Sequence, residues 1–437
     1  MTMETKQKNQ LLLEVHEKPE FIPGLLLSFQ HVFAMFGATI LVPLILGMSV
    51  STALLASGIG TLIYILATKA QVPVYLGSSF AYISAMAIAK EAMGGEIDAS
   101  QTGIMLVGLV YVAVAIIIKR TGSDWLNRLL PPIVIGPMIM VIGLGLAGTA
   151  VTNAGFIKGG DWRHVAAAMV TFIIAITITV KGKGFLRVIP FLIAIIGGYL
   201  AAILLGIVDF TPVAQASWLA FPDISLPFSH SLSFANEYKI YFGPEAFAIL
   251  PIAIVTIAEH IGDHVVLGEI TNRDYVKKPG LHRTLIGDGV ATFVSALIGG
   301  PANTTYGENT GVIGMTRIAS VSVIRNAALI AIALSFFGKF TALISTIPNA
   351  VLGGMAILLY GVIASNGLKV LIQARTNFAH SRNLIIASAM LVIGLGGAVL
   401  ELGSVLTLSG TALSAIVGVS LNAILPHEDK DNIEVGF

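Results

Sequence analysis

Pro131-Pro132-Ile133-Val134-Ile135-Gly136-Pro137-Met138 returns 217 residues later as Pro348-Asn349-Ala350-Val351-Leu352-Gly353-Gly354-Met355, a shared pattern P-x-x-V-[I/L]-G-x-M. Each copy opens a long apolar stretch, so the repeat marks corresponding points of two halves. Hydrocarbon about 30 Å thick needs roughly 20 apolar residues per helix, with about 17–25 tolerated. On that scale seven segments fill the first half, near 24–47, 51–69, 73–90, 102–119, 130–150, 164–181 and 186–208. Seven more follow, near 244–267, 282–299, 304–317, 320–338, 349–371, 382–400 and 403–425. The repeat opens the fifth and the twelfth. An odd number of spans per half inverts the second half against the first. Inverted repeats with interrupted helices in matching places point to the binding site of a secondary transporter. Here the weak segments are the third and the tenth, where Tyr75-Leu76-Gly77-Ser78-Ser79-Phe80 and Thr304 through Gly307 are small, polar and tolerant of extended backbone. The expected fold is an all-α polytopic membrane protein with 14 transmembrane segments in two inverted seven-helix repeats.

Charge placement supports the count. With both termini cytoplasmic, the tails and every even-to-odd loop hold twenty of the 25 Lys and Arg residues; Lys90, Lys158, Arg163, Lys239 and Lys339 fall elsewhere. Basic loops stay on the cytoplasmic side, and losing one span would invert every later loop. Composition agrees: 55% of the residues are hydrophobic and 11% charged, against about 25% charged in ordinary soluble domains. A mean hydropathy of +0.87 leaves no room for a sizeable water-soluble domain. A net charge of +1 offers nothing to nucleic acid, and the absence of cysteine excludes disulfides, thiolate metal sites and a cysteine nucleophile. Residues 1–23 are polar and lack the pattern of a cleavable signal.

Against this background Ala258-Glu259-His260-Ile261-Gly262-Asp263-His264 stands out, four ionisable side chains inside the eighth segment. A charge at bilayer depth costs roughly 2.5–3.5 kcal/mol on insertion scales, so such residues face protein or water and mark a pathway. Glu308 is a second intramembrane carboxylate, in Asn303-Thr304-Thr305-Tyr306-Gly307-Glu308-Asn309. Two carboxylates beside irregular backbone suggest a small-molecule or ion transport site. Asp263 lies one turn from Glu259 on the same face, placed either to share a proton with it or to serve structure. His260 and His264 with Glu259 lack the H-E-x-x-H order of a zinc helix, so no metal and no cofactor is expected. His31 reads as a polar strut between helices or as a ligand. Asp288 and Arg317 read as structural ions near the cytoplasmic face.

Glu308-Asn309-Thr310-Gly311-Val312-Ile313-Gly314-Met315-Thr316-Arg317 fits the signature [Q/E/P]-N-x-G-x-x-x-x-T-[R/K/G] of the nucleobase–ascorbate transporters, the xanthine/uracil permeases. Gln30-His31 and the Glu259 segment also resemble motifs of that family, in the same order. The resemblance covers essentially the whole chain. Gly77 to Ala81 and Asn303 to Asn309 are most similar to the bacterial uracil permeases, which are proton symporters. It implies a core domain from residues 24–119 and 244–338 and a gate domain from 130–208 and 349–425, flanked by cytoplasmic tails 1–23 and 426–437. It also implies a short antiparallel strand breaking each of segments 3 and 10. Glu259 and Glu308 would accept ring N–H groups of a nucleobase, and backbone amides of Phe80 and Gly307 would donate to its carbonyls. The Phe80 ring, Tyr306 and Tyr360 would complete the substrate site, with Tyr360 either closing over the base or only packing. Glu259, Asp263, Glu308 and His31 would carry proton coupling, although some uracil permeases have histidine where this chain has Asp263.

The expected function is proton-coupled import of uracil across the plasma membrane, by alternating access between core and gate. Its partners would be uracil, protons and the lipid bilayer, with a homodimer as the assembly to test. Rivals are the same machine with xanthine or another purine, or an anion transporter of the same architecture, although an anion site would want positive charge at its centre. An intramembrane hydrolase lacks its metal motif and nucleophile elbow, so no enzyme is expected. Gly136 and Gly353 are small enough to let helices slide and are expected where gate meets core.

Overall fold

The computed structural model describes residues 11–187, 189–228, 235–402, 406–408 and 410–426. Lys6, Lys8, Lys430 and all but the first residue of the expected tail 426–437 lie outside the described residues. The chain enters through α1 (Phe21–Leu46), closed by left-handed Gly47, and α2 (Val50–Ala67), capped by Ser49 Oγ accepting from the Thr52 amide. The third segment divides into β1 (Leu76–Ser78), a 3-10 turn at Phe80–Tyr82 and α3 (Ile83–Ala92). After α4 (Asp98–Thr121) and the short α5 (Asp124–Leu129), Pro131 and Pro132 start α6 (Pro132–Gly145). Proline suits that position because its missing amide would have no intrahelical acceptor. The half continues with α7 (Ala147–Asn153), α8 (Trp162–Lys181) and α9 (Pro190–Leu204). A largely exposed connection carries α10 (Thr211–Gln215), β2 (Ser225–Leu226) and β3 (Asn236–Glu237).

The second half begins with α11 (Pro244–Phe247), α12 (Ile252–Thr271) and α13 (Leu281–Leu297). The tenth segment is β4 (Asn303–Thr305) followed by α14 (Gly307–Thr316). Then come α15 (Val321–Ser335), α16 (Gly338–Ser345) and α17 (Asn349–Gln373). The chain ends with α18 (Ser381–Leu395), β5 (Leu400–Leu402), β6 (Leu406–Leu408) and α19 (Gly410–Ile424). Among the described residues seven helical stretches are long and apolar enough to cross a membrane, or eight if α15 and α16, bent by 84°, form one span. The shorter helices α9, α18 and α19 are also apolar.

Three segments differ from the sequence reading. The helix expected over 244–267 is interrupted between α11 and α12, next to Pro251, where the ring removes one amide from the ladder. The spans expected at 382–400 and 403–425 are shortened, because Leu400–Leu402 and Leu406–Leu408 pair as antiparallel strands. Gly396 closes α18 and Gly397, at φ +69°, turns the chain toward that hairpin.

The helices pack in two groups. In one, α13 lies along α2 and α4, and α15 lies along α1 and α2. In the other, α17 packs on α6, α7 and α8, α9 packs on α8, and α18 packs on α6 and α19. Glycines allow backbone-to-backbone approach in both: a Cβ on Gly108 of α4 would stand 2.5 Å from Gly289 O of α13, and one on Gly143 of α6 2.4 Å from Tyr360 O of α17. In lipid such close packing takes the place of hydrophobic association. Gly136 and Gly353 correct an expectation. Gly136 abuts Leu371 and Gly367 of α17, and Gly353 abuts Asn153 and Ala154 at the end of α7. Both lie inside the second group and neither at the seam, because the residues facing them belong to that same helix group. The seam is instead spanned by α12, which touches α6 and α19.

Candidate functional site

A strand inside a membrane must have its backbone polar groups satisfied by protein. β1 and β4 pair antiparallel, with Leu76 opposite Thr305, Gly77 opposite Thr304 and Ser78 opposite Asn303. The Ser79 amide donates to Ala302 O at 2.8 Å and the Tyr306 amide to Tyr75 O at 3.1 Å, extending the ladder at both ends. Side chains cover the remaining edges. Ser57 Oγ donates to Leu76 O at 2.8 Å, the Leu76 amide donates to Thr61 Oγ1 at 2.9 Å, and Thr292 Oγ1 donates to Asn303 O at 3.1 Å. The small hydroxylated residues that make segments 3 and 10 poor helices thus sit among others that make the strands tolerable. Gly77 is required by contact: a Cβ there would fall 2.4 Å from the Tyr306 ring. Tyr306 Oη crosses back to donate to Ser78 O at 2.9 Å and accepts from Thr39 Oγ1 at 3.2 Å.

Each strand leads into a half-helix whose first amides have no intrahelical acceptor. Phe80 opens the turn after β1, and Gly307 and Glu308 open α14. These helix starts face a cavity of about 290 Å³, near the lower end of the roughly 300–1,000 Å³ usual for ligand pockets. Its walls are Phe80, Ala81, Glu259, Asp263, Thr304, Thr305, Tyr306, Gly307 and Glu308 on one side. On the other side stand Ile142 of α6, Phe191 of α9, and Leu359, Val362, Ile363 and Asn366 of α17. Among the described residues no Lys or Arg lines it. Glu259 and Asp263, one turn apart on α12, therefore meet Glu308 across a single space. Asp263 Oδ2 accepts a hydrogen bond from Thr305 Oγ1, tying α12 to β4.

Two residues expected at the site stand outside these walls. His31 is buried and bridges α1 to α14: Asn309 Nδ2 lies 3.0 Å from His31 Nδ1 and donates to His31 O at 3.1 Å. Tyr360 is buried with its hydroxyl unpaired, and its ring meets Phe80 edge-on with centroids 6.2 Å apart. Sequence reasoning missed Asn366, whose signal was a lone amide in the apolar twelfth segment. It also missed Phe191 and Ile142, which carried none, since apolar side chains in a span look alike whatever they face.

Asp288, expected as a structural ion, has its partner within the protein. It is fully buried, and its Oδ2 lies 2.8 Å from His260 Nδ1. His264 Nδ1 donates to the His260 carbonyl at 2.6 Å, so its Nε2 accepts from the Tyr64 hydroxyl. The two imidazoles stack with centroids 4.1 Å apart. This chain of buried polar groups lies behind the face of α12 that carries Glu259 and Asp263. Among the described residues no group of three or more His, Cys, Asp or Glu is arranged to hold a metal ion.

The fold is one already seen in solved structures. It resembles the transmembrane domain of a cyanobacterial bicarbonate transporter, BicA, with a TM-score of 0.63 at 17% identity over 93% of this chain and 98% of that one. It also resembles the murine Slc26a9 anion transporter in its inward-facing state, with a TM-score of 0.69 at 11% identity over 93% of this chain and 69% of that one. The chain belongs to the permease family of xanthine and uracil permeases, whose family model matches residues 24–403. Among curated relatives, the uracil permease of Bacillus caldolyticus is 51% identical, covering 96% of this chain and 95% of its own. That of Escherichia coli K12 is 40% identical, covering 94% and 93%. The chain is thus a multi-pass membrane protein whose relatives are named as permeases, not enzymes.

Proposed function

We propose that this protein is a proton-coupled symporter that imports uracil across the cell membrane, with both termini cytoplasmic. The observation that carries the reading is the meeting of Glu259, Asp263 and Glu308 at one cavity fronted by the starts of two half-helices. Uracil presents ring N–H groups and carbonyls around one plane. Ionised carboxylates only accept and backbone amides only donate, so Glu259 and Glu308 match the N–H edges, and the Phe80 and Gly307 amides match the carbonyls. The Phe80 ring supplies an apolar face. A cavity without a cation, walled by three acids, is a poor host for an anion, despite the fold shared with anion transporters. Uracil permeases at 51% and 40% identity support uracil over a purine.

In this reading the architecture is two inverted seven-segment repeats, 14 segments in all, with the β1–β4 pair breaking segments 3 and 10. The group built on α1, α2, α4, α13 and α15, with α12 and the half-helices, is the core. The group built on α6 to α9 and α17 to α19 is the gate. The two move against each other so that the cavity opens to one side at a time. Asp263 shares the coupled proton with the glutamates, while His31, held by Asn309, fixes α14 and acts on the site from behind.

Uptake by proteoliposomes tests the proposal. Radiolabelled uracil should accumulate with an inward pH gradient, and xanthine and sulfate should not. A protonophore should stop accumulation without stopping binding, and sodium should be dispensable. Glu259→Gln and Glu308→Gln should each abolish uptake in a protein that still inserts and folds, because the amide places a donor against a ring donor in a desolvated site. Wild-type accumulation by Glu259→Gln would overturn the site assignment, and sodium-driven accumulation that survived the protonophore would overturn the coupling.

A further inference from the structure

Two more cavities flank the central one. One of about 410 Å³ shares Phe191 and Glu308 with it and lies where α9 begins and α14 ends. The other, about 360 Å³, shares Phe80, Ala81 and Ile142 with it and lies where α6 and α18 end. The central chamber therefore adjoins one chamber through two shared residues and the other through three. The first outer chamber is beside the basic positions Arg187 and Arg317 in sequence, which places it on the cytoplasmic side.

We propose that Phe191 is the inner door of the transport path, the ring that separates the substrate cavity from the cytoplasmic chamber. This deepens the symport reading and rests on it for direction. Three observations point to this residue. Phe191 lines both chambers and, with Glu308, is one of the two residues they share. It sits one residue past Pro190, in the first turn of α9, and is only half-buried, so its ring is not held by packing on every side. The base of its side chain packs on the opposite group at a glycine: a Cβ on Gly37 of α1 would come within 3.3 Å of Phe191 Cβ. An apolar ring at a narrow point blocks polar solutes by excluding water. Glu308 shares the partition, so of the three cavity carboxylates it alone also lines the cytoplasmic chamber; Glu259 and Asp263 line only the central one. When the ring swings, Glu308 is the acid first exposed to the cytoplasm.

The natural chain has no cysteine, so a single Val362→Cys in the central cavity is a clean reporter. Its labelling by a membrane-impermeant thiol reagent would be timed in inside-out and right-side-out vesicles. Phe191→Ala should speed labelling from the cytoplasmic face by about tenfold, as expected for losing a half-buried ring's contacts in the closed state, and leave the outer face within about twofold. Phe191→Trp should slow labelling from the cytoplasmic face. Should Phe191→Ala fail to insert, Phe191→Leu should give an intermediate rise, of about threefold, with the same sidedness. Rates unchanged by these substitutions, or raised equally from both faces, would overturn the door. The reporter needs no substrate, so a protein that fails to bind uracil yet shows the sided effect would sink the uracil reading alone.

Discussion

Gly353→Ala adds one methyl group at the tightest contact between α17 and α7. The new Cβ would lie 2.3 Å from Ala154 N, 2.6 Å from Asn153 C and 2.8 Å from Ala154 Cα, all backbone atoms with no rotamer to change. Ordinary contact begins near 3.5 Å, so the two backbones must separate by roughly 1 Å. Overpacking of this kind costs about 1–3 kcal/mol, and a clash with main chain belongs at the upper end. Gly361 lies on the same helix, is exposed, and a Cβ there would meet nothing within 4 Å. Alanine at Gly361 should therefore gain roughly 0.5–1 kcal/mol from the stiffer helix. The two variants, identical in chemistry, should differ by about 2–4 kcal/mol. Thermal unfolding in detergent and the yield of monodisperse protein measure it, with Gly361→Ala at or above wild type and Gly353→Ala clearly below. Uracil bound per folded molecule should not change, because the ligand groups stand on α12, α14 and the turn after β1. Equal stability of the two variants would refute the packing argument. A loss of binding per folded molecule at Gly353→Ala would show that the displacement reaches the α17 wall of the cavity, and would refute a purely local packing defect.

Gly77→Ala drives a Cβ into the Tyr306 ring at 2.4 Å, so it should spread the strand pair and lose uracil binding and uptake together; uptake lost with binding intact would contradict it. Thr305→Val removes the hydroxyl that donates to Asp263 and should reduce uptake about tenfold or more, as for a lost hydrogen bond to a carboxyl group, while Thr305→Ser should not. Asp288→Ala leaves the buried His260 Nδ1 without its partner and should cost about 1–3 kcal/mol of stability, with Asp288→Asn milder because its side-chain amide can still pair with Nδ1. If asparagine proves as damaging as alanine in thermal unfolding, the pair depends on charge and not on the hydrogen bond.

What the sequence determined by itself was everything that follows from transfer into lipid. Long apolar runs, basic residues biased to one side and a few expensive carboxylates are local quantities, each legible from consecutive residues. The polar, glycine-bearing stretches around Gly77 and Gly307 likewise announced backbone that a helix could not use. The hairpin at Leu400–Leu402 and Leu406–Leu408 was hidden, because a short apolar run reads the same as strand or as helix until a partner pairs with it. Gly136 and Gly353 were legible as close-contact residues, but which helix they contact depends on residues more than 200 positions away in one case and nearly as far in the other. The partner of Asp288 was hidden for the same reason, since His260 sits 28 residues earlier on another helix. Glu259 and Glu308 were recognisable as costly intramembrane charges. That they face one cavity with Asp263, with Asn366 and Phe191 opposite, was decided only when the strand pair brought two half-helices together against α17 and α9. A membrane-spanning residue's cost is set by where it sits along the bilayer normal, which the chain order encodes. Its partner is set by rotation and neighbour choice in the plane, and only packed tertiary structure decides that.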